Sequence, residues 1–165
     1  MNKRYSLACS VLLSFVLLST LLISCSEDSD CSMTARPYMV CNFYKYGASK
    51  NIVLKDTVAL LSVTALGTDS IILNSQNKVH SYEQPLRYTN DTTAFVLSVN
   101  QGDKDTVWVV HKNTPFFISV ECGYQVRQEL IKIAKYTRNR LDSVSLRRTE
   151  VNTSNYGREN IQVIY

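Results

Sequence analysis

Glycine and proline are scarce in this chain, at 5 and 3 of 165 residues, and histidine is scarcer still at 2. With so little glycine there is no phosphate-cradling loop of the G-x-G-x-x-G or G-x-x-x-x-G-K-[ST] kind, and no alternating Asp/Asn calcium loop is present. The two histidines, His80 and His111, stand far apart, and no Cys or His spacing suits zinc. Basic residues do not gather into a nucleic-acid footprint: Arg138, Arg140, Arg147 and Arg148 are the one cluster, and Asp142 interrupts it. The expectation is a protein without metal or cofactor that does not bind nucleic acid.

What is present begins with Lys3 and Arg4 followed by an uncharged stretch over residues 7–23. Basic flank, apolar segment, small residue and processing point are the order of a secretion signal, so residues 1–24 are expected to be removed and to play no part in the fold. At about 17 residues the stretch is at the short limit for a membrane-spanning helix, which usually needs about 20. Leu22-Ile23-Ser24-Cys25 resembles the bacterial lipobox, whose cysteine is acylated before cleavage. Cys25 is then the lipidation site and the first mature residue, and more than one acyl chain gives stable attachment. Residues 25–36 read as an acylated Cys and polar tether that spans roughly 35 to 40 Å when extended. Glu27, Asp28 and Asp30 resemble the acidic surface-export signal of lipoproteins from the Bacteroidota. The implied location is the bacterial outer membrane, on its periplasmic face or at the cell surface.

Removing the signal takes two bases and no acid from 18 Lys+Arg and 14 Asp+Glu, so the mature charge is about +2 rather than +4. Its 141 residues suffice for one domain that buries about two thirds of its unfolded surface. Of five cysteines, Cys9 leaves with the signal and Cys25 carries lipid, so Cys31, Cys41 and Cys122 remain. In an oxidising envelope three thiols suggest one disulfide and one buried spare.

From residue 37 onward short apolar runs alternate with turn signals every eight to twelve residues, which predicts one all-β domain over 37–165, an antiparallel β-sandwich of immunoglobulin-like or similar type. Expected strands are PYMVCNFYKY, VALLSVTAL, SIILNS, PLRY, AFVLSVN, DTVWVVHK, FFISVEC, LDSVSLRR and NIQVIY. Phe95, Leu97 and Val99 share one face, as do Phe116, Ile118, Val120 and Cys122, and Ile161, Val163 and Tyr165. Each such face is expected to point into a common core. Residues 126–137 are ambiguous: Val126, Leu130, Ile133, Ala134 and Thr137 fall on one helical stripe, while Ile131 and Ile133 alternate as in a strand. Strand is the preferred reading, with one short helix as the alternative.

Five tripeptides read Asp, then Ser or Thr, then an apolar residue or Thr, and resemble the O-glycosylation sequon of exported Bacteroidota proteins. Their hydroxyls are Thr57, Ser70, Thr92, Thr106 and Ser143, with Thr92 in the most polar neighbourhood. The same residues also suit a turn that opens a strand.

Catalysis finds little support. A nucleophile needs a base and a group to orient that base, yet neither His111 nor His80 lies in a nucleophile-elbow motif. A hydrolase or accessory role through either histidine is the minor alternative. Glu83, Glu121 and Glu129 carry no context for glycoside chemistry. Tyr44, Tyr46, Tyr82, Tyr88 and Trp108 are available to line a binding face, although burial in the core is the expected fate of Trp108. The functional expectation is a non-catalytic binding or structural module, its partner an envelope protein or a glycan.

The lipobox, Asp30-Cys31, Phe43-Tyr44, Thr68-Asp69-Ser70-Ile71, Pro85-Leu86, Cys122-Gly123-Tyr124 and the closing Ile164-Tyr165, taken in order, resemble an uncharacterised family of Bacteroidota lipoproteins defined only as a domain of unknown function. The resemblance implies a disulfide between Cys31 and Cys122, with Cys41 to Cys122 the rival pairing. It implies no activity.

Overall fold

The computed structural model describes residues 36–49, 51–68, 70–151 and 158–165, and these contain eleven strands and no helix. In chain order they are β1 (Tyr38–Tyr46), β2 (Val53–Lys55), β3 (Val58–Ala65), β4 (Ile71–Val79), β5 (Ser81–Pro85), β6 (Thr92–Val99), β7 (Lys104–Ser119), β8 (Gly123–Tyr136), β9 (Ser143–Leu146), β10 (Glu150–Val151) and β11 (Ile161–Ile164). They form two sheets around a shared core, the β-sandwich that the alternation predicts.

The first sheet runs β2-β1-β11-β9. One side of β1 pairs with β5 along residues 38–42 and with β2 along residues 44–46, while its other side takes β11. The β1–β11 pairing is parallel, which departs from a purely antiparallel sandwich and brings the two ends of the described chain side by side. The second sheet runs β10-β8-β7-β6-β3-β4 with antiparallel neighbours throughout. Period-two alternation builds the core from both layers: Met39, Cys41 and Phe43 of β1 meet Phe95, Leu97 and Val99 of β6 and Val107 and Val109 of β7. Tyr82 stacks on Phe43 at 6.0 Å and meets Phe95 edge-on at 6.4 Å.

The edge strand β4 is kinked. Ser75 and Lys78 adopt positive φ of 46° and 54°, and the β3–β4 register slips at Leu61, Val63 and Thr64. Such irregularities twist an edge away from further pairing and guard it against strand addition.

The preferred strand reading of the ambiguous segment holds, since residues 126–136 form most of β8, and two other expectations are corrected. Val126, Ile131, Ile133 and Tyr136 suit a pleated surface, and the strand satisfies the hydrogen-bonding edge that β7 would otherwise expose along its length. PLRY is not a strand. The strand is β5, just before it; Leu86 then tucks into the core while Arg87 and Tyr88 enter a turn. DTVWVVHK and FFISVEC fuse into the single 16-residue β7, despite Pro115 between them. Pro115 lies beyond the last β6 partner, Thr92 opposite Val110, so one side of β7 has no described neighbour there and a missing N–H is tolerated.

Two buried polar side chains fix how the chain crosses between sheets. Asp105, 1% exposed, accepts hydrogen bonds from the Thr137 hydroxyl at 2.6 Å and from the backbone N–H groups of Asn139, Arg140 and Leu141 at 2.8, 2.7 and 3.0 Å. That carboxylate shapes the turn leading from β8 in one sheet to β9 in the other. Asn160 ties β1 to the last crossing: its Oδ1 accepts from Val40 N–H at 2.9 Å, and its Nδ2 donates to the carbonyls of Glu150 at 2.7 Å and Arg148 at 3.3 Å. Asp105→Ala removes the acceptor of three backbone N–H groups, one of them on buried Leu141, so it is expected to lower stability by about 2 to 3 kcal/mol. Asp105→Asn keeps one acceptor oxygen and loses less. Urea unfolding followed by circular dichroism measures both.

Candidate functional site

β7 and β8 are much longer than their neighbours. Past Val110, β7 leaves β6 behind and continues with β8 alone as a two-stranded ribbon to a tip at residues 119–123. At about 3.3 Å per residue this extension is roughly 25 Å long. β8 gains β10 as a neighbour only at Gln128 and Glu129, so among the described residues the outer part of the ribbon has no third strand.

The ribbon tip is apolar and open. Phe117 is 54% exposed, Val120 86% and Tyr124 77%. Phe117 and Tyr124 are cross-strand partners whose rings meet edge-on at 5.3 Å, and Arg127 lies over the Phe116 ring at 5.3 Å. An aromatic pair in that geometry is worth about 0.5 to 1.5 kcal/mol beyond its burial, which favours this arrangement of the two rings. The predicted face of Phe116, Ile118, Val120 and Cys122 therefore does not join the core; Phe116, Ile118 and Cys122 are half-buried and Val120 is exposed, and among the described residues no second sheet faces them.

The ribbon's base is polar and closed. His111 is 1% exposed, and its Nε2 lies 2.8 Å from the Thr93 hydroxyl, which also accepts Arg87 N–H at 2.8 Å. Asn113 Nδ2 donates to the carbonyls of Arg87, Tyr88 and Asn90 at 3.0 to 3.1 Å, and Gln128 Nε2 donates to Asn113 Oδ1 at 2.9 Å. The cluster pins the 86–91 turn to the ribbon. No carboxylate meets His111 Nδ1, which has no hydrogen-bond partner among the described residues. Burial holds the imidazole below its ordinary pKa, only partly opposed by Asn113 and by the Asp91 charge. His80 is exposed. The hydroxyl that His111 meets is that of Thr93, itself buried and bonded by the Arg87 N–H, and His80 is not part of this cluster.

The predicted aromatic face is dispersed. Tyr82 is buried, Tyr44 donates a short hydrogen bond to Glu159, Tyr46 lies near the end of β1, and Tyr88 sits under the Arg36 guanidinium at 4.7 Å. Trp108 corrects the expectation of core burial: Val107 and Val109 point inward, which turns Trp108 to the outer face of its sheet, half-buried with Lys135 over the ring at 4.4 Å.

Among the hydroxyls of the five tripeptides, Thr57 and Ser70 are exposed, whereas Thr92, Thr106 and Ser143 are half-buried in strands, opposite Val110, Val96 and Ile164. Asp105 is consumed by the crossover turn. Cys25 and Cys31 lie outside the described residues. Cys41 is a free, fully buried thiol that burial pushes up to about 12, so the rival Cys41–Cys122 pairing does not form. Cys122 is not free.

Residues 60–165 match the family of unknown function DUF6452. The chain belongs to that family. The DUF6452 span starts in β3 and includes the ribbon, its base and Cys122-Gly123-Tyr124, but not β1 or the residues before it. It is thus narrower than a resemblance over nearly the whole mature chain. No curated protein and no solved structure matches the chain.

Sequence reading did not single out Phe117 and Tyr124 as exposed. One signal was available: Val120 beside Glu121 in a tight turn is an apolar residue where burial is hardest to arrange. The base of the ribbon yields a pH dependence. Because His111 binds its proton less readily folded than unfolded, stability is complete above the unfolded imidazole pKa, about 6.5, and declines as pH falls below it. Urea midpoints are expected to drop between pH 7.5 and 5.5, and His111→Gln should flatten that slope.

Proposed function

We propose that this DUF6452 protein is a lipid-anchored lipoprotein of the bacterial outer membrane whose β-sandwich is a non-catalytic binding module, with the β7–β8 ribbon tip as its contact surface. The anchor reading rests on Ser24-Cys25 closing an uncharged apolar stretch. The observation that carries the binding reading is the tip itself, where Phe117, Val120 and Tyr124 face solvent on a paired hairpin while polar groups are buried at its base. A cluster of exposed apolar side chains marks an interaction site; Ile52, Val53 and Leu54 at the β2 margin are exposed as well, but none to the extent of Val120 or Tyr124. A non-catalytic role is supported by the burial of His111 and Thr93, closed off from solvent, and by the engagement of Asp105 with a turn. The scatter of Tyr44, Tyr82, Tyr88 and Trp108 over different faces weighs against a row of sugar-stacking rings.

The same reading assigns the disulfide to Cys31 and Cys122. The described chain starts at Arg36, whose NH2 donates to Leu86 O at 2.6 Å, beside the turn held by Asn113 at the ribbon base. From Asn113 to the tip is about 20 Å at strand rise. The five residue steps from Cys31 to Arg36 reach about 17 Å, and disulfide-linked Cα atoms lie about 5.5 Å apart, so the bridge is within reach. Closing so long a loop contributes about 4 to 5 kcal/mol in the chain-entropy model.

Two experiments test the proposal. Cys25→Ala is expected to release the protein from native membranes into the soluble fraction; tight attachment of that variant would show that residues 7–23 remain as an anchor. Non-reducing peptide mapping of native protein should find Cys31 joined to Cys122, and a free Cys31 rejects the bridge. The same digest is expected to place any added hexose on the Thr57 or Ser70 peptide before the strand-embedded Thr92, Thr106 or Ser143.

A further inference from the structure

The anchor and the ribbon tip have a geometric consequence when combined. Eleven residue steps from Cys25 to Arg36 let the domain drift roughly 35 to 40 Å from the acylated end. A bridge from Cys31 to Cys122 shortens the leash that matters. Only six residue steps, from Cys25 to Cys31, then separate the acyl chains from the tip, a reach of about 20 Å, and the headgroup layer takes up about 5 to 7 Å of it. The residues held closest to the bilayer are the most exposed apolar side chains of the tip, Phe117, Val120 and Tyr124.

We infer that the partner of the ribbon tip is the lipid surface itself: the domain docks tip-first, with Phe117, Val120 and Tyr124 in the headgroup layer of the membrane that holds Cys25. The inference rests on the proposed acylation and on the Cys31–Cys122 bridge. The chemistry of the tip fits that layer. Amphipathic rings such as Tyr124 favour the membrane–water interface, where one end is apolar and the other wet. Arg127, above the Phe116 ring on the same ribbon, is placed to meet lipid phosphates. The tip loop carries one acid, Glu121, which is fully solvent-exposed and can remain in water. Three side chains would bind a bilayer weakly from free solution. A short leash changes that, since a tether of a few residues confers millimolar effective concentration, and weak docking becomes the populated state.

The test uses full-length protein purified from a lipidating host, with acylation of Cys25 confirmed by intact mass. In a Trp108→Phe background a single tryptophan is introduced as Val120→Trp, or as Ile71→Trp on the distant β4 edge for comparison. Each protein is reconstituted into phosphatidylethanolamine–phosphatidylglycerol vesicles with or without dibrominated phosphatidylcholine. The expected result is blue-shifted emission at position 120 that brominated lipid quenches and iodide does not, with the reverse at position 71. Iodide quenching at both positions, on protein that floats with the vesicles, overturns tip docking while the anchor stands, and directs the tip to a protein partner. Protein that lacks acyl mass or fails to float overturns the anchor and the docking together.

Discussion

The Asp105 carboxylate is the interaction on which the two-layer arrangement depends. Each sheet of a sandwich is stable only against the other, so the chain must leave one sheet and enter the second at a defined angle. Asp105 sets that angle after β8 by accepting the Thr137 hydroxyl and three consecutive backbone N–H groups. Leu141, at the end of that turn, is then delivered into the core, and β9 follows onto the flank of β11. Asn160 acts in the same way on the final return, bonding Val40 on one side and the carbonyls of Arg148 and Glu150 on the other. Because Asn160 holds Val40 in register, β11 enters parallel to β1 and fills the gap between β1 and β9. Apolar burial supplies the driving force for collapse; these two polar residues select which collapsed topology is reached.

The edges and ends of the sandwich are treated differently. β4 is broken by two positive-φ residues and a slipping register, features that discourage another strand from joining. The β7–β8 ribbon is the opposite case, regular over most of its length and apolar at its tip. The polar cluster of Thr93, His111, Asn113 and Gln128 stiffens the ribbon where it leaves the second sheet, so the exposed rings stand at the end of a braced arm rather than a loose loop.

Much of the fold was legible because period two is a strong signal where both faces have a definite fate. Phe95, Leu97 and Val99 alternate with half-buried residues and are buried as expected, and the runs that became β1, β3, β6, β9 and β11 were readable in the same way. Alternation states which side chains share a face; it does not state whether a second layer covers that face. That is why Phe116, Ile118 and Val120 were expected in the core and instead lie on the ribbon, and why Trp108, one residue out of phase with Val107 and Val109, faces outward. Asp105 was equally opaque. Beside Thr106 and Val107 it reads as a turn or modification signal, and only the fold brings residues 137–141 to its oxygens. β2, β5 and β10 were missed because short strands at sheet margins carry too few residues to show a period.

The distribution of polarity is inverted at both ends of the ribbon, and the two inversions have different explanations. Burying Thr93, His111 and Gln128 carries a desolvation cost that their hydrogen bonds offset only in part, since His111 Nδ1 and Gln128 Oε1 find no partner among the described residues. Their return lies inside the domain, in the bracing of the arm and the 86–91 turn. Exposing Phe117, Val120 and Tyr124 also has a cost, because apolar surface in water contributes nothing to folding and invites association. Beyond the single ring contact between Phe117 and Tyr124, nothing in the described sandwich compensates for it. Unburied rings at the end of a braced arm are therefore the feature on which the proposed contact surface rests.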